Sequence, residues 1–208
     1  DLDGDLDMYL VNQPPNEKYK KVEVLKKREV ILEYSGKLYR NENNESFLDI
    51  TEKAGIKNFG YSLSTCTADF FNDGYPDIYV ANDYEEGDFF YHNSGEGQFS
   101  EIANNCFNHI SNFSMGSDVA DINNDGWLDI INVDMTAEDH YRNKTNMGGM
   151  NPEKFWKIVH EGHNHQYMFN SLQLNMGNGH FSEIGHQAGI AKTDWSWTPL
   201  LCDFDHDG

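Results

Sequence analysis

A repeat held in a fixed register constrains this chain more than any other feature. Three segments read Asn, then Phe six residues on, then an acid and Ile. They are Asn41 with Phe47, Asp49 and Ile50; Asn93 with Phe99, Glu101 and Ile102; and Asn175 with Phe181, Glu183 and Ile184. From each Ile it is 19 residues to the next acidic loop, at Asp69, Asp121 and Asp203. Self-similarity of this kind describes a series of small supersecondary units that bury their faces against one another.

The acidic loops are themselves alike. The fullest copy is DINNDGWLD, with Asp121, Asn123, Asp125, Gly126, Trp127 and Asp129. A second, DFFNDGYPD, carries Asp69, Asp73, Gly74, Tyr75 and Asp77, with Phe71 where the first has Asn123. A third, DLDGDLD, holds Asp1, Asp3, Asp5 and Asp7 and lacks its first two positions. A fourth, DFDHDG, holds Asp203, Asp205 and Asp207 and ends after its glycine. Together they contain 13 of the 20 aspartates in 31 of the 208 residues. Acid is therefore concentrated at recurring positions. The formal charge of −20 argues against a nucleic-acid partner, since phosphate binding needs a positive field. No apolar run approaches the roughly 18 residues of a membrane span, so insertion of this segment is not expected.

From each loop to the next Asn the spacing varies: 34, 16 and 46 residues. The shortest interval shows the minimal unit. Short β-branched or aromatic runs at 61–68, 78–81, 88–91 and 98–102 are separated by Gly, Asn and Asp turns, which predicts four strands. Four short antiparallel strands per repeat is the arithmetic of a propeller blade. The expected fold is all-β: a propeller fragment of about three blades, not closed, because closure takes four to eight. Residues 1–208 form one such segment, whose neighbours would be further blades of the same parent chain.

The two long intervals read as insertions. Residues 12–36 are basic, with Lys18, Lys20, Lys21, Lys26, Lys27 and Arg28 among them. Residues 134–167 are His-rich and predict one short helix, with Asn151 as N-cap, Pro152 at its first position and Gly162 as its stop.

Three carboxylates within nine residues repel one another. At an effective dielectric of about 20 and roughly 5 Å, each pair costs about 3 kcal/mol. A hard divalent ion removes that repulsion and takes oxygen ligands only. Alternate positions 1, 3 and 5 set side-chain oxygens on one side of a tight loop, glycine at 6 allows the turn, position 7 offers a carbonyl and Asp at 9 closes the set. In the fullest copy, residues 121–129, the carboxylates and carbonyls, without Cys or His, favour Ca²⁺ over zinc. An EF-hand would need flanking helices and Glu at position 12, where this chain has Val80 and Asn132.

These loops, with DFFNDGYPDIY from Asp69, DINNDGWLDI from Asp121 and LYRNENNESFLDITEKAGI from Leu38, resemble the FG-GAP/VCBS repeats of integrin α-type propellers. The stretches 143–156 and 170–199 resemble more narrowly the secreted proteins that carry such repeats ahead of an ASPIC/UnbV-type domain, a group related to cartilage acidic protein. The resemblance implies Ca²⁺ in the loop between the first two strands of each blade, and an extracellular or cell-surface module for adhesion or for protein or glycan recognition.

Nothing in the chain forms a catalytic constellation. His160, Glu161 and His163 miss the H-E-x-x-H spacing by one residue. Trp195 and Trp197 alternate at strand spacing and read as blade core, or as aromatics near the axis that could stack on a sugar. Together with His160 and His163 they are the residues an alternative function, a scaffold for a carbohydrate lyase or hydrolase, would use. Cys66 and Cys202 lie in apolar stretches and are expected as buried free thiols.

Overall fold

The computed structural model describes residues 2–14, 34–84, 86–146 and 150–204. Its first sheet has three antiparallel strands in the order β1 (Met8–Leu10), β2 (Lys37–Glu42) and β3 (Ser46–Asp49). The second is a complete antiparallel unit of β4 (Tyr61–Ala68), β5 (Asp77–Asp83), β6 (Phe89–Asn93) and β7 (Phe99–Glu101), in sequence order. These strands match the runs expected from the shortest repeat to within one or two residues.

A short helix α1 (Ala103–Cys106) and β8 (Ile110–Ser111) lead into the third unit. There β9 (Ser117–Ala120) and β10 (Asp129–Asn132) are followed by the insertion, which holds β11 (Met135–Thr136), α2 (His140–Asn146), α3 (Pro152–His160) and β12 (Gln166–Tyr167). The chain then completes the unit with β13 (Ser171–Asn175) and β14 (Phe181–Glu183), giving the order β14-β13-β10-β9, and β15 (Asp194–Trp195) follows. The result is an unclosed propeller fragment: two whole blades, three strands of another, and a segment after β15 that runs along β9. Leu201 donates its N–H to the Asp118 carboxylate there.

Alternation on the middle blade explains how the blades stack. Successive strand residues point to opposite faces, and β5 is buried on both. Ile78 and Val80 pack with Leu38, Ala54, Ile56 and Tyr91 against the first sheet. Tyr79 and Ala81 pack with Phe70, Phe90, Phe107, Ile130 and Phe181 against the third. One strand thus contributes to two cores, which is why its sequence IYVA is apolar without interruption.

The insertions differ in how much is described. Residues 15–33, including all six cations of the basic stretch, lie outside the described residues. Its two ends meet, since the Asn12 amide donates to the Ser35 carbonyl at 2.8 Å. In the second insertion α3 begins as expected: Asn151 accepts from the N–H groups of Glu153 and Lys154, and Pro152 takes the first turn. Two further helices, α1 and α2, add to the single one the sequence predicts. The return strand β12 pairs in parallel with β8, so this insertion folds back over the seam between two blades.

Two expectations need correcting. Trp195 and Trp197 are exposed, not blade core, because among the described residues β15 pairs only with the two-residue β11 and Trp197 lies beyond its end. Cys202 is likewise exposed and Cys66 only half-buried, whereas Cys106, on α1 beneath the Phe90 cluster, is the buried thiol.

Candidate metal centre

Loops 69–77 and 121–129 each join the first and second strands of a four-stranded blade, loop 1–7 leads into β1, and the described parts of the three copies share backbone conformation and hydrogen bonds. In loop 121–129 the Asp121 carboxylate accepts from the N–H groups of Asp125 and Gly126, at 3.1 and 2.8 Å, and Asp125 accepts from Trp127 at 2.9 Å. In loop 69–77 Asp69 accepts from Asp73 and Gly74, and Asp73 from Tyr75, at 2.8 to 3.0 Å. In the first loop Asp3 accepts from Asp5. Position 6 is a left-handed glycine each time, Gly4, Gly74 or Gly126. Position 4 is left-handed too, occupied by Leu2, Asn72 and Asn124. Asparagine tolerates that conformation, and its recurrence at position 4 in two of the loops marks the turn in the sequence itself.

The ninth position does something the spacing could not reveal. Asp129 is fully buried, and its two oxygens accept from the N–H groups of Ile122 at 3.0 Å and Asn175 at 2.7 Å. Asp77 accepts from Phe70 and Asn93 in the same way, and Asp7 from Asn41. The repeat asparagine returns the contact: Asn41, Asn93 and Asn175 donate their side-chain amides to the carbonyls of Leu6, Pro76 and Leu128. The Asn and the acidic loop of the repeat are thus two halves of one clamp, tying the second strand of a blade to its third. Burial pushes the Asp129 carboxyl upward, and the charges of Asp125 and Asp121 push it further.

The donor chemistry of loop 121–129 fits a hard cation. Its exposed side offers the carboxylates of Asp121 and Asp125, the amide of Asn123 and the main chain of Trp127, all oxygen donors. Among the described residues no group of three or more His, Cys, Asp or Glu side chains is arranged to hold a metal, so an ion here would draw on Asn123 and the main chain as well as on carboxylates. In the first loop the Asp5 carboxyl is raised by desolvation and then by the Asp3 charge, and its Oδ1 is buried without a hydrogen-bond partner. Asp1, Asp205 and Asp207 lie outside the described residues, and Asp203 is exposed near the end of the chain.

Loop 69–77 is built differently. Phe71 stacks on Phe90 and meets His92 edge-on at 4.8 Å. His92 sets Nδ1 3.0 Å from Asp77 and Nε2 3.8 Å from Asp73.

The four residues expected as possible ligand contacts, His160, His163, Trp195 and Trp197, sit on separate features. His160 ends α3 against Trp156, and His163 lines a cavity of about 460 Å³ beside Glu86, Glu101 and Glu161. Trp195 borders a small crevice with Arg142 and Met168, while Trp197 packs its carbonyl over Gly116. No helix among the described residues is long and apolar enough to cross a membrane.

A family model described as FG-GAP-like repeat matches this chain twice, over residues 1–80 and 69–131. No curated protein matches it.

Proposed function

The chain belongs to the FG-GAP-like repeat family, and from that premise we propose that it is a calcium-binding β-propeller module of an extracellular or surface protein. The observation that carries this reading is the recurrence of one loop backbone in three blades, with Asp121, Asn123, Asp125 and Trp127 the fullest oxygen set among them. Asp121, Asn123 and Asp125 would hold the ion with the Trp127 carbonyl, and Asp129 stands behind them. The bound ion supplies the counter-charge that the crowded carboxylates lack. Loops of this class outside cells work at dissociation constants of about 10⁻⁴ to 10⁻³ M, which suits extracellular calcium. The narrower relation to proteins with an ASPIC/UnbV-type domain rests on the stretches 143–156 and 170–199.

The module is read as a binding scaffold for adhesion or for protein or glycan recognition. Its exposed Trp195 and Trp197 are aromatic surfaces of the kind such contacts use. The test is thermal melting of the chain in millimolar calcium and in chelator, with terbium luminescence sensitised through Trp127 as a second readout. A higher melting temperature in calcium, lost in Asp125→Ala, is expected. Equal melting in both buffers would remove the basis of the reading.

A further inference from the structure

The three described blades differ at one register position, the residue just before the repeat asparagine. It is Arg40 in the first blade, His92 in the second and Leu174 in the third. Arg40 pairs with Glu42 and also feels the charges of Asp7 and Asp3 from the first acidic loop. His92 reaches the second loop directly, with a ring nitrogen 3.0 Å from Asp77 and the other 3.8 Å from Asp73. Leu174 brings no polar group to the third loop, and that loop alone among the described ones has oxygen-bearing side chains at positions 1, 3, 5 and 9.

We infer that loop 69–77 takes up no divalent ion, because the His92 ring, wedged by Phe71, already stands among its carboxylates in place of one. Two observations converge on this. Phe71 replaces an oxygen donor with a ring, and that ring stacks on Phe90 in the core, so it is held and cannot swing aside. The imidazole then contacts the edge of Phe71, keeps one nitrogen 3.0 Å from the buried Asp77 behind the loop, and sets the other 3.8 Å from Asp73, on the side where an ion would sit. Losing an oxygen ligand and gaining a protein donor go together in one blade, and neither occurs in the blade with the full loop. The inference rests on the calcium reading of loop 121–129 and narrows it to particular blades.

Calcium stoichiometry of the whole chain by equilibrium dialysis tests this, with melting in chelator as an independent arm. Asp73→Ala should leave the number of bound ions unchanged, Asp125→Ala should lower it by one, and Phe71→Asp combined with His92→Leu should raise it by one. In chelator His92→Leu should melt several degrees below wild type, and the drop should shrink by at least half in an Asp73→Ala background. Loss of one ion in Asp73→Ala overturns the inference, as does unchanged melting of His92→Leu in chelator. If wild type binds no ion, the calcium reading fails, and the chelator arm alone then decides the role of His92.

Discussion

Replacing Asp129 with Asn separates the clamp from the cation site within a single loop. The buried Asp129 carboxylate accepts two backbone N–H groups, from Ile122 at 3.0 Å and from Asn175 at 2.7 Å. An asparagine keeps one acceptor and turns an NH₂ group toward the other N–H, which is left without a partner. A buried donor stranded in this way costs about 1–3 kcal/mol, and the surviving bond loses its charge assistance, so about 3 kcal/mol is expected in total. At roughly 2–4 °C per kcal/mol for a chain of this size, that is a fall of about 6–12 °C in melting temperature. Asp125 is exposed, and its N–H partner can turn to water, so Asp125→Ala should change stability by under about 1 kcal/mol when calcium is absent. The assay is calorimetry of wild type and both variants, each with calcium and with chelator. Asp129→Asn should be destabilised in both buffers, and Asp125→Ala only in calcium. If Asp129→Asn melted with wild type in chelator, the clamp would have no energetic content and the reasoning from its two hydrogen bonds would be wrong.

Three other perturbations bear on the seams between blades. Burial holds the Asp88 carboxyl up to about 6, where it accepts from Tyr79, Ser114 and Asn132; the unfolded chain releases this proton first as pH rises, so stability should fall by about 3 kcal/mol between about pH 4 and 6. Urea midpoints across that range check it, and an equally steep fall in Asp88→Asn would assign the effect elsewhere. A Cβ added at Gly116 would lie 2.3 Å from the Trp197 carbonyl and 3.0 Å from Thr198 Cα, so Gly116→Ala should loosen residues 196–201 and speed their amide hydrogen exchange; unchanged exchange there counts against this packing. Phe90 is fully buried among the rings of Phe70, Phe71, Tyr79, Phe107 and Phe181, so Phe90→Ala should lose about 3–5 kcal/mol in denaturant titration, and a loss below 1 kcal/mol would show that this seam carries little of the stability.

The blade plan and the place of each acidic loop were determined by the sequence alone, because both rest on local rules. Blade strands of three to eight residues, turns at Asn, Asp and Gly, and a sharp bend at Gly74 or Gly126 act within one unit, and the repeat prints them again in the next. The start of α3 was legible for the same reason, since Asn151 and Pro152 cap their own helix. Tertiary structure decided everything that joins distant residues. Asp129 meets Asn175 across 46 residues of chain and becomes a clamp, His92 enters a loop that ended 15 residues earlier at Asp77, and β12 returns to pair with β8. Trp195 and Trp197 have the alternation of a core strand, yet burial depends on what packs against a strand, and among the described residues β15 pairs only with β11 while Trp197 lies beyond it. Periodicity tells which side chains share a face; only the arrangement of neighbouring blades tells whether that face meets protein or water.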